Sequence, residues 1–100
     1  MLHVMTAPIE SSVVRVAPHV SWNDVNADLV VCNTQDGTYH ALDRAGSEVW
    51  RAVARDGRLV VVIAELRARY PGASTAIADD VIDFVGRAAR LGLLVVSEHP

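Results

Sequence analysis

The sequence predicts an α+β domain in which three β-strands precede three α-helices. Two short strand-like stretches are joined by an Asp-Gly turn, and three later segments carry apolar residues at helical spacing. At 100 residues the chain is long enough for one modest core. Because 51% of the residues are hydrophobic and only 5% aromatic, that core should consist mainly of Val, Leu, Ile and Ala.

The predicted strands all lie in the first half of the chain. Residues 13–22 are rich in β-branched side chains and predict an irregular first strand, which Pro18 must interrupt. Residues 29–32 and 38–42 predict a hairpin, because Gly37 between them can take the positive φ that such turns need.

The first helix should begin directly after the hairpin. Asp43 can cap it, since a carboxylate there accepts hydrogen bonds from the free N–H groups of the first turn. Val49, Trp50 and Val53 form one apolar face, and Asp56 with the following glycine marks the end of the helix.

The second helix is predicted over residues 59–70. The run LVVVI alone is typical of a strand. Length and period favour a helix instead, and Pro71-Gly72 ends it. The apolar residues that repeat with the helical period are Leu59, Ile63, Leu66 and Tyr70.

The third helix is predicted from residue 74 or 75 to 91, followed by an extended tail at 93–96. Its apolar residues form two neighbouring stripes, which together cover about 180° of the helix circumference. A surface helix needs only about 100° to face a core, so one flank is free for a partner, or the helix is wedged between two elements of its own fold. One stripe contains Ile77, Val81, Phe84, Ala88 and Leu91, and the other contains Ala78, Ile82, Val85 and Ala89.

Charge and composition exclude several classes of protein. The net charge is −3 and the chain has no lysine, which argues against nucleic acid as the main partner. No stretch resembles a signal peptide or a membrane-spanning helix, so we expect a cytoplasmic protein without membrane association. The single cysteine, Cys32, lies in an apolar run and is expected to be a buried free thiol.

No residue pattern predicts an active site, and no metal or cofactor is expected. The four histidines stand far apart, and no glycine-rich phosphate loop or nucleophile motif is present. Asp79, Asp80 and Asp83 are read as dipole-complementing residues in the first turns of the third helix, with Asp83 paired to Arg87. The remaining candidates are a peptide-binding module and a nucleic-acid-binding winged helix.

Two blocks of the chain resemble the PqqD-like proteins. The run DLVVCNTQDGTYHALDRAGSEVW matches the family's strand, turn, strand and helix at Gly37, Tyr39, Leu42, Asp43, Gly46, Val49 and Trp50. The run DDVIDFVGRAARLGLL matches its second signature at Asp80, Val81, Phe84, Val85, Gly92, Leu93 and Leu94. One departure is the second helix, which begins with Leu59-Val-Val-Val where the family usually has Thr and acidic residues.

The resemblance implies a winged-helix-like domain over residues 13–96, with a three-stranded antiparallel sheet followed by three helices. Residues 1–12 carry no hydrophobic period and contain Pro8, so they are expected to form a flexible arm. The resemblance also implies a non-catalytic protein that binds the leader of a ribosomally made precursor peptide. A free-standing chain of this size is similar to the leader-binding proteins of lasso-peptide biosynthesis, which deliver the precursor to a leader peptidase, with a cyclase as a further partner. The alternative within the family is the peptide chaperone of a radical SAM enzyme in quinone-cofactor synthesis. A monomer or weak dimer is expected.

We expect the leader to be bound by strand addition at residues 38–42, between this edge strand and the third helix. Val61 falls opposite the apolar stripe of the second helix, so it should be exposed or should meet a partner protein. The predicted leader-binding residues are Thr38, Tyr39, His40, Ala41 and Leu42 on the strand, and Ile77, Asp80, Val81, Phe84 and Arg87 on the helix.

Overall fold

The computed structural model describes residues 7–26 and 28–97, and it has the predicted α+β architecture. Four strands come first, followed by three helices and a fifth strand. The strands are β1 (Val13–Val16), β2 (Val20–Val25), β3 (Asp28–Asn33), β4 (Thr38–Leu42) and β5 (Leu94–Ser97). The helices are α1 (Arg44–Arg55), α2 (Leu59–Arg69) and α3 (Ser74–Arg90), and a 3₁₀ turn (Pro71–Ala73) leads into α3.

Strands β2, β3 and β4 form an antiparallel sheet in that order. One face of β3 carries Leu29, Val31 and Asn33, all buried, and helix α1 packs against this face. The predicted hairpin is confirmed: Gly37 has a φ of 77° and its N–H donates to the carbonyl of Asn33.

The prediction of one irregular strand over residues 13–22 is wrong. Two strands occupy this stretch, and they belong to different sheets because the chain turns at Pro18. Strand β2 joins the three-stranded sheet, whereas β1 pairs antiparallel with β5. The predicted extended tail is therefore the second strand of a separate two-stranded sheet.

Strand β1 also contacts the loop between α1 and α2. The N–H of Val14 donates to the carbonyl of Gly57 at 2.8 Å. A Cβ at residue 57 would lie 1.9 Å from the carbonyl oxygen of Val14, so only glycine allows this approach. The N–H of Leu59 donates to the carbonyl of Ser12, which fastens the start of α2 to the same strand region.

The three helices form as predicted. Asp43 caps α1, its side chain accepting a hydrogen bond from the N–H of Gly46 at 2.7 Å. The ambiguous segment from residue 59 is helical, because every third or fourth side chain enters the core. The buried residues of α1 and α2 that build this core are Val49, Trp50, Ala52, Val53, Leu59, Val62, Ile63 and Leu66.

Two smaller predictions need correction. Cys32 is only half-buried, because it lies on the outer face of the three-stranded sheet, opposite the core. Helix α3 has no acidic residue in its first turn, so Asp79, Asp80 and Asp83 stand beyond the turn in which the dipole acts most strongly. The predicted ion pair of Asp83 with Arg87 is confirmed at 3.3 Å.

The predicted arm at residues 1–12 lies partly outside the described residues, which begin at residue 7. In the described part, Ser12 is buried. Its N–H donates to the carbonyl of Ile9 at 3.0 Å, and its hydroxyl accepts from the N–H of Ile9 at 2.9 Å. The division into an arm at 1–12 and a domain at 13–96 stays a prediction.

Candidate functional site

Strand β4 is an edge of the three-stranded sheet, and the hydrogen-bond register determines which of its backbone groups point outward. The N–H of Thr34 donates to His19, and the N–H of Gly37 donates to Asn33. Antiparallel pairs alternate along a strand, so Thr38, His40 and Leu42 direct their backbone groups toward β3. The N–H and C=O groups of Tyr39 and Ala41 therefore point away from the sheet.

A groove lies between this edge and α3. It consists of two adjoining cavities of about 330 Å³ and 200 Å³. Both are lined by Ala41 and Leu42 from β4 and by Phe84 and Arg87 from α3. We call this the β4–α3 groove. An open strand edge thus stands beside an apolar wall.

The floor of the groove depends on close packing between α1 and α3. A Cβ on Gly46 would lie 3.0 Å from Cε1 of Phe84, so the glycine lets the phenyl ring approach α1. Trp50 lies deeper, fully buried, and lines the smaller cavity. Its ring packs edge-on against Trp22 of β2, with the ring centroids 5.9 Å apart. Trp50 therefore belongs both to the lining of the groove and to the hydrophobic core.

The larger of the two groove cavities, of about 330 Å³, has a negatively charged rim. Asp43, Asp80 and Asp83 line it, together with the single cation Arg87. Asp83 holds the guanidinium of Arg87 in an ion pair, and Asp43 accepts the capping bond of α1. Asp80 is therefore the carboxylate best placed to meet a positively charged or hydrogen-bond-donating group in the groove.

The hairpin turn that precedes β4 is fixed by Asp36. Its carboxylate accepts from the N–H of Thr38 at 3.0 Å and from the Thr38 hydroxyl at 2.7 Å. The hydroxyl bond is the main reason that the pKa of Asp36 is lowered from its ordinary value. These bonds hold the first residue of β4 in place.

The structure brings together six of the ten residues predicted to bind a leader. The other four lie elsewhere. Thr38 and Tyr39 occupy the start of β4 and do not line the groove, and the Tyr39 side chain is 73% exposed on the outer face of the sheet. Ile77 and Val81 are buried and face another cavity. The six residues in the groove are His40, Ala41, Leu42, Asp80, Phe84 and Arg87.

Several groove residues were not among the predicted site residues. Gly46 had a detectable signal, since a glycine in the first turn of a helix often marks a close approach. Leu91 had another: it ends the predicted apolar stripe and is 52% exposed. Phe84 on α3, which is half-buried and packs against the core, and Leu91, which directly follows α3, line the same cavity and together form the helix flank of the groove. The remaining groove residues outside the prediction are Asp43, Ala45, Val49, Trp50, Asp83, Ala88 and Leu93.

A larger cavity of about 520 Å³ lies between α1, α2 and α3. We call it the helix pocket. Val49, Leu66, Ile77 and Val81 form its apolar walls. Polar side chains stand at its rim, where the Tyr70 hydroxyl donates to Glu48 at 2.5 Å. This hydrogen bond is the main reason that the pKa of Tyr70 is raised.

Within residues 7–26 and 28–97, no group of three or more His, Cys, Asp or Glu residues is placed to hold a metal ion. His19 bonds the carbonyl of Gly92 through Nε2, and Nε2 of His40 contacts the Thr38 hydroxyl. His3 and His99 lie outside the described residues. No helix in the described part of the chain is long and apolar enough to cross a membrane.

The fold and the groove define a class of small domains that present an open strand edge beside an apolar helix flank. Within that class the chain belongs to the PqqD family: the family profile described as coenzyme PQQ synthesis protein D matches residues 28–94. The match runs from β3 into the start of β5 and contains the whole groove.

A solved structure supports the same assignment. The structure described as "TbiB1 in Complex with the TbiA(beta) Leader Peptide" is similar to this chain with a TM-score of 0.74 and 25% sequence identity. The similarity covers 80% of this chain and 93% of the TbiB1 chain. No curated protein sequence matches the chain.

Proposed function

We propose that this protein is a non-catalytic binding protein that captures the leader of a ribosomally synthesised precursor peptide and presents it to a leader peptidase. The pathway proposed is lasso-peptide biosynthesis, with a cyclase as a further partner. The observation that carries the proposal is the open edge of β4 beside the groove, in a fold that TbiB1 uses with a leader peptide bound.

The leader would add a fourth strand to the sheet. Its main chain would pair with the outward-pointing groups of Tyr39 and Ala41, which have no strand partner in the described chain. Main-chain pairing of this kind accepts many sequences. Selectivity would come from the side chains of the leader that enter the groove against Phe84 and Leu42, and from a donor group that meets Asp80.

Two neighbouring valines on α2 favour a second contact, with the peptidase. Val60 is 60% exposed and Val61 is 36% exposed, although both are apolar. They lie at the start of α2, on a face that the protein's own core does not cover. We assign this face to the leader peptidase, because a protein that delivers a peptide must hold peptide and enzyme on separate surfaces.

The direct test is the affinity of fluorescently labelled peptides for the purified protein. The panel contains the leaders of the short precursors encoded beside its gene, together with the TbiA(beta) leader. Tyr39→Pro removes one outward N–H and should weaken binding, whereas Tyr39→Ala removes only an exposed side chain and should not. If no member of the panel binds, or if the proline has no effect, the proposal fails.

The family's own name favours a second candidate function, that of a peptide chaperone for a radical SAM enzyme in cofactor synthesis. The two candidates differ in the enzyme that is recruited. Pull-down with the protein bound to its leader should retain a leader peptidase for the first and a radical SAM enzyme for the second. Val61→Asp should abolish the peptidase contact and leave the affinity for the leader unchanged.

A winged-helix DNA-binding role predicts affinity that falls steeply with added salt. Leader binding through main-chain and apolar contacts should change little with salt, so one titration at two salt concentrations separates the two roles. Because precursor peptides are made on ribosomes, we propose that capture takes place in the cytoplasm. We propose a monomer or weak dimer as the active form.

A further inference from the structure

Helix α2 is apolar on two opposite sides, and only one of them packs into the core. The buried side is formed by Leu59, Val62, Ile63 and Leu66. The opposite side is apolar as well, yet it is exposed in the described structure. Its members, which we call the outer α2 face, are Val60, Val61, Ala64 and Ala68.

The outer α2 face is as wide as the face with which a helix packs against a core. At about 100° per residue, its four members fall within an arc of about 100°, which is the width that a surface helix needs to face its own core. Arg67 borders this arc on one side and Glu65 on the other. A helix that is apolar on opposite sides is normally covered on both, so the outer α2 face indicates a protein partner.

The charge around the outer α2 face is opposite to that of the groove. Residues 55–69 carry four arginines and only two carboxylates, although the whole chain has a net charge of −3. Both carboxylates are held in ion pairs, Asp56 with Arg58 at 2.7 Å and Glu65 with Arg55 at 2.8 Å. The surroundings of the face are therefore positively charged, whereas three aspartates line the groove.

These charges restrict what can cover the outer α2 face. In a symmetric dimer through this face, the arginines of one copy would meet those of the other, which disfavours a second copy as the partner. Nucleic acid would attract the arginines but would leave Val60 and Val61 without apolar contacts. The face suits a protein surface that is apolar at its centre and acidic at its border.

The small side chains of the face indicate the shape of the partner. Val60, Ala64 and Ala68 follow one another at every fourth residue, so they form one ridge along α2. Each alanine projects only a methyl group, which lets the backbone of a second helix come close. An extended segment would find no backbone groups to pair with, because the hydrogen bonds of a helix are internal.

We propose that the outer α2 face binds an amphipathic helix of the leader peptidase, whose apolar stripe is bordered by Asp or Glu side chains. This inference depends on the proposed function, which assigns the face to the peptidase, and it adds the kind of element that is bound and its charge. No residue of the face lines the groove or the helix pocket, so leader and peptidase can be held at the same time.

A substitution of Ala64 distinguishes close helix packing from a merely apolar contact. Biolayer interferometry measures the affinity of the leader peptidase encoded beside the gene for the protein loaded with the tightest-binding peptide of the panel. Ala64→Leu adds apolar area but fills the space that a close helix needs, so the affinity for the peptidase should fall about tenfold or more. Unchanged or stronger binding would overturn the close packing of a helix. Ala54→Leu, at an exposed position of α1, should have no effect.

The acidic border of the peptidase helix is tested by Arg67→Glu. This change places a carboxylate beside those of the helix, so the affinity for the peptidase should fall about fivefold or more, and added salt should reduce the loss by screening the repulsion. Arg90→Glu makes the same change at an exposed position of α3 and should leave the affinity unchanged. Equal losses for the two variants would show that the peptidase responds to net charge, and the acidic border would be wrong.

The affinity for the leader separates this inference from the proposed function. Ala64→Leu and Arg67→Glu lie outside the groove, so fluorescence anisotropy should give the leader affinity of the unmodified protein for both. If the leader binds in a manner sensitive to Tyr39→Pro, but the peptidase binds all variants equally, the outer α2 face is not its docking site and leader capture stands.

Two further outcomes would overturn the inference. If light scattering shows that Ala64→Leu changes the mass of the protein alone, the outer α2 face is a contact between copies of this chain. If no peptide of the panel binds, or if binding ignores Tyr39→Pro, the proposed function itself is wrong, and the peptidase helix with it.

Discussion

The three-stranded sheet has two edges, and they differ in what stands beside them. β2 forms one edge and β4 the other. Five of the six β2 side chains are exposed, and no residue of β2 lines the groove or the helix pocket. Beside β4 lies the flank of α3 with Phe84 and Leu91.

Both edges offer outward N–H and C=O groups, so open backbone groups alone do not make a binding site. The two edges differ because the flank of α3 stands beside β4 and forms the other side of the groove. A peptide on β2 would gain main-chain hydrogen bonds, each contributing about 0.5–1.5 kcal/mol net, and contacts with the exposed side chains of Trp22 and Val25, but β2 lines none of the described cavities. A peptide on β4 would also bury apolar side chains in the groove, which contributes about 25 cal/mol per Å². The helix flank therefore decides which edge can bind selectively.

The largest effect on leader affinity is expected from a substitution in the edge strand β4. Ala41→Pro removes the outward N–H that lies next to the groove on β4 and blocks close approach, so leader affinity should fall about tenfold or more. Asp24→Pro is the matched change on β2, where the same alternation points the N–H outward, and it should leave affinity unchanged. Fluorescence anisotropy measures both, and circular dichroism verifies that each variant is folded. Equal losses would mean that the helix flank does not distinguish the edges.

The second-largest effect on leader affinity is expected from a substitution on α3, on the side that lines the groove. Phe84→Ala should weaken the leader by about 1 kcal/mol, roughly fivefold, because the ring lines both cavities of the groove. Ile82 is also half-buried on α3 but lines neither cavity. Ile82→Ala should reduce thermal stability without changing affinity. Isothermal titration of both variants tests this, and an equal affinity loss for Ile82→Ala would show that the effect of Phe84→Ala does not depend on its place in the groove.

The third effect is on stability, at the junction of β4 and α1. Asp43→Ala removes the cap of α1 and should lower the free energy of unfolding by about 1 kcal/mol. Asp43→Asn keeps a side-chain acceptor and should retain most of it. Urea unfolding followed by circular dichroism gives both values. If the two variants are equally destabilised, the charge of Asp43 matters and its capping bond does not.

The smallest effect is expected from a substitution in the loop between α1 and α2, far from the groove, and it concerns stability in acid. Hydrogen bonds from Arg58 are the main reason that the pKa of Asp56 is lowered to about 2 from 3.8. The ionised form is thus favoured by folding, and its contribution is present above about pH 4 and lost as the pH falls through about 2. Asp56→Asn should flatten the loss of thermal stability with acid in this range. Leader affinity at neutral pH should stay the same, and a change would connect this loop to the groove.

Local signals made much of the fold predictable. Gly37 identified the hairpin and Asp43 the start of α1, because each acts on residues within a few positions. The first strand could not be predicted in the same way. Val13 pairs with Ser97, and nothing local to residues 13–16 indicates a partner so distant in sequence. Pro18 indicated a break, but a break alone does not show that the two halves join different sheets.

The site was predictable to a similar degree. The helical period placed Phe84 and Leu91 on one apolar stripe with Val81, and in the structure Phe84 and Leu91 line one cavity of the groove, with Leu91 directly after the last residue of α3. A helical wheel gives the direction of a side chain but not the neighbour that it meets. Ile77 and Val81 therefore appeared to face β4, whereas α1 and α2 come to lie beside them and form the helix pocket.

The pairing of β1 with β5 has a consequence for how the domain could be combined with other proteins. Val13 and Ser97 are direct partners across this sheet, so the start of β1 and the end of β5 lie about 5 Å apart. Such a domain could be inserted into a surface loop of an enzyme, or fused at either end of one, without stretching its host. The groove would remain open in each arrangement, because neither β4 nor α3 belongs to the sheet that would carry the junction.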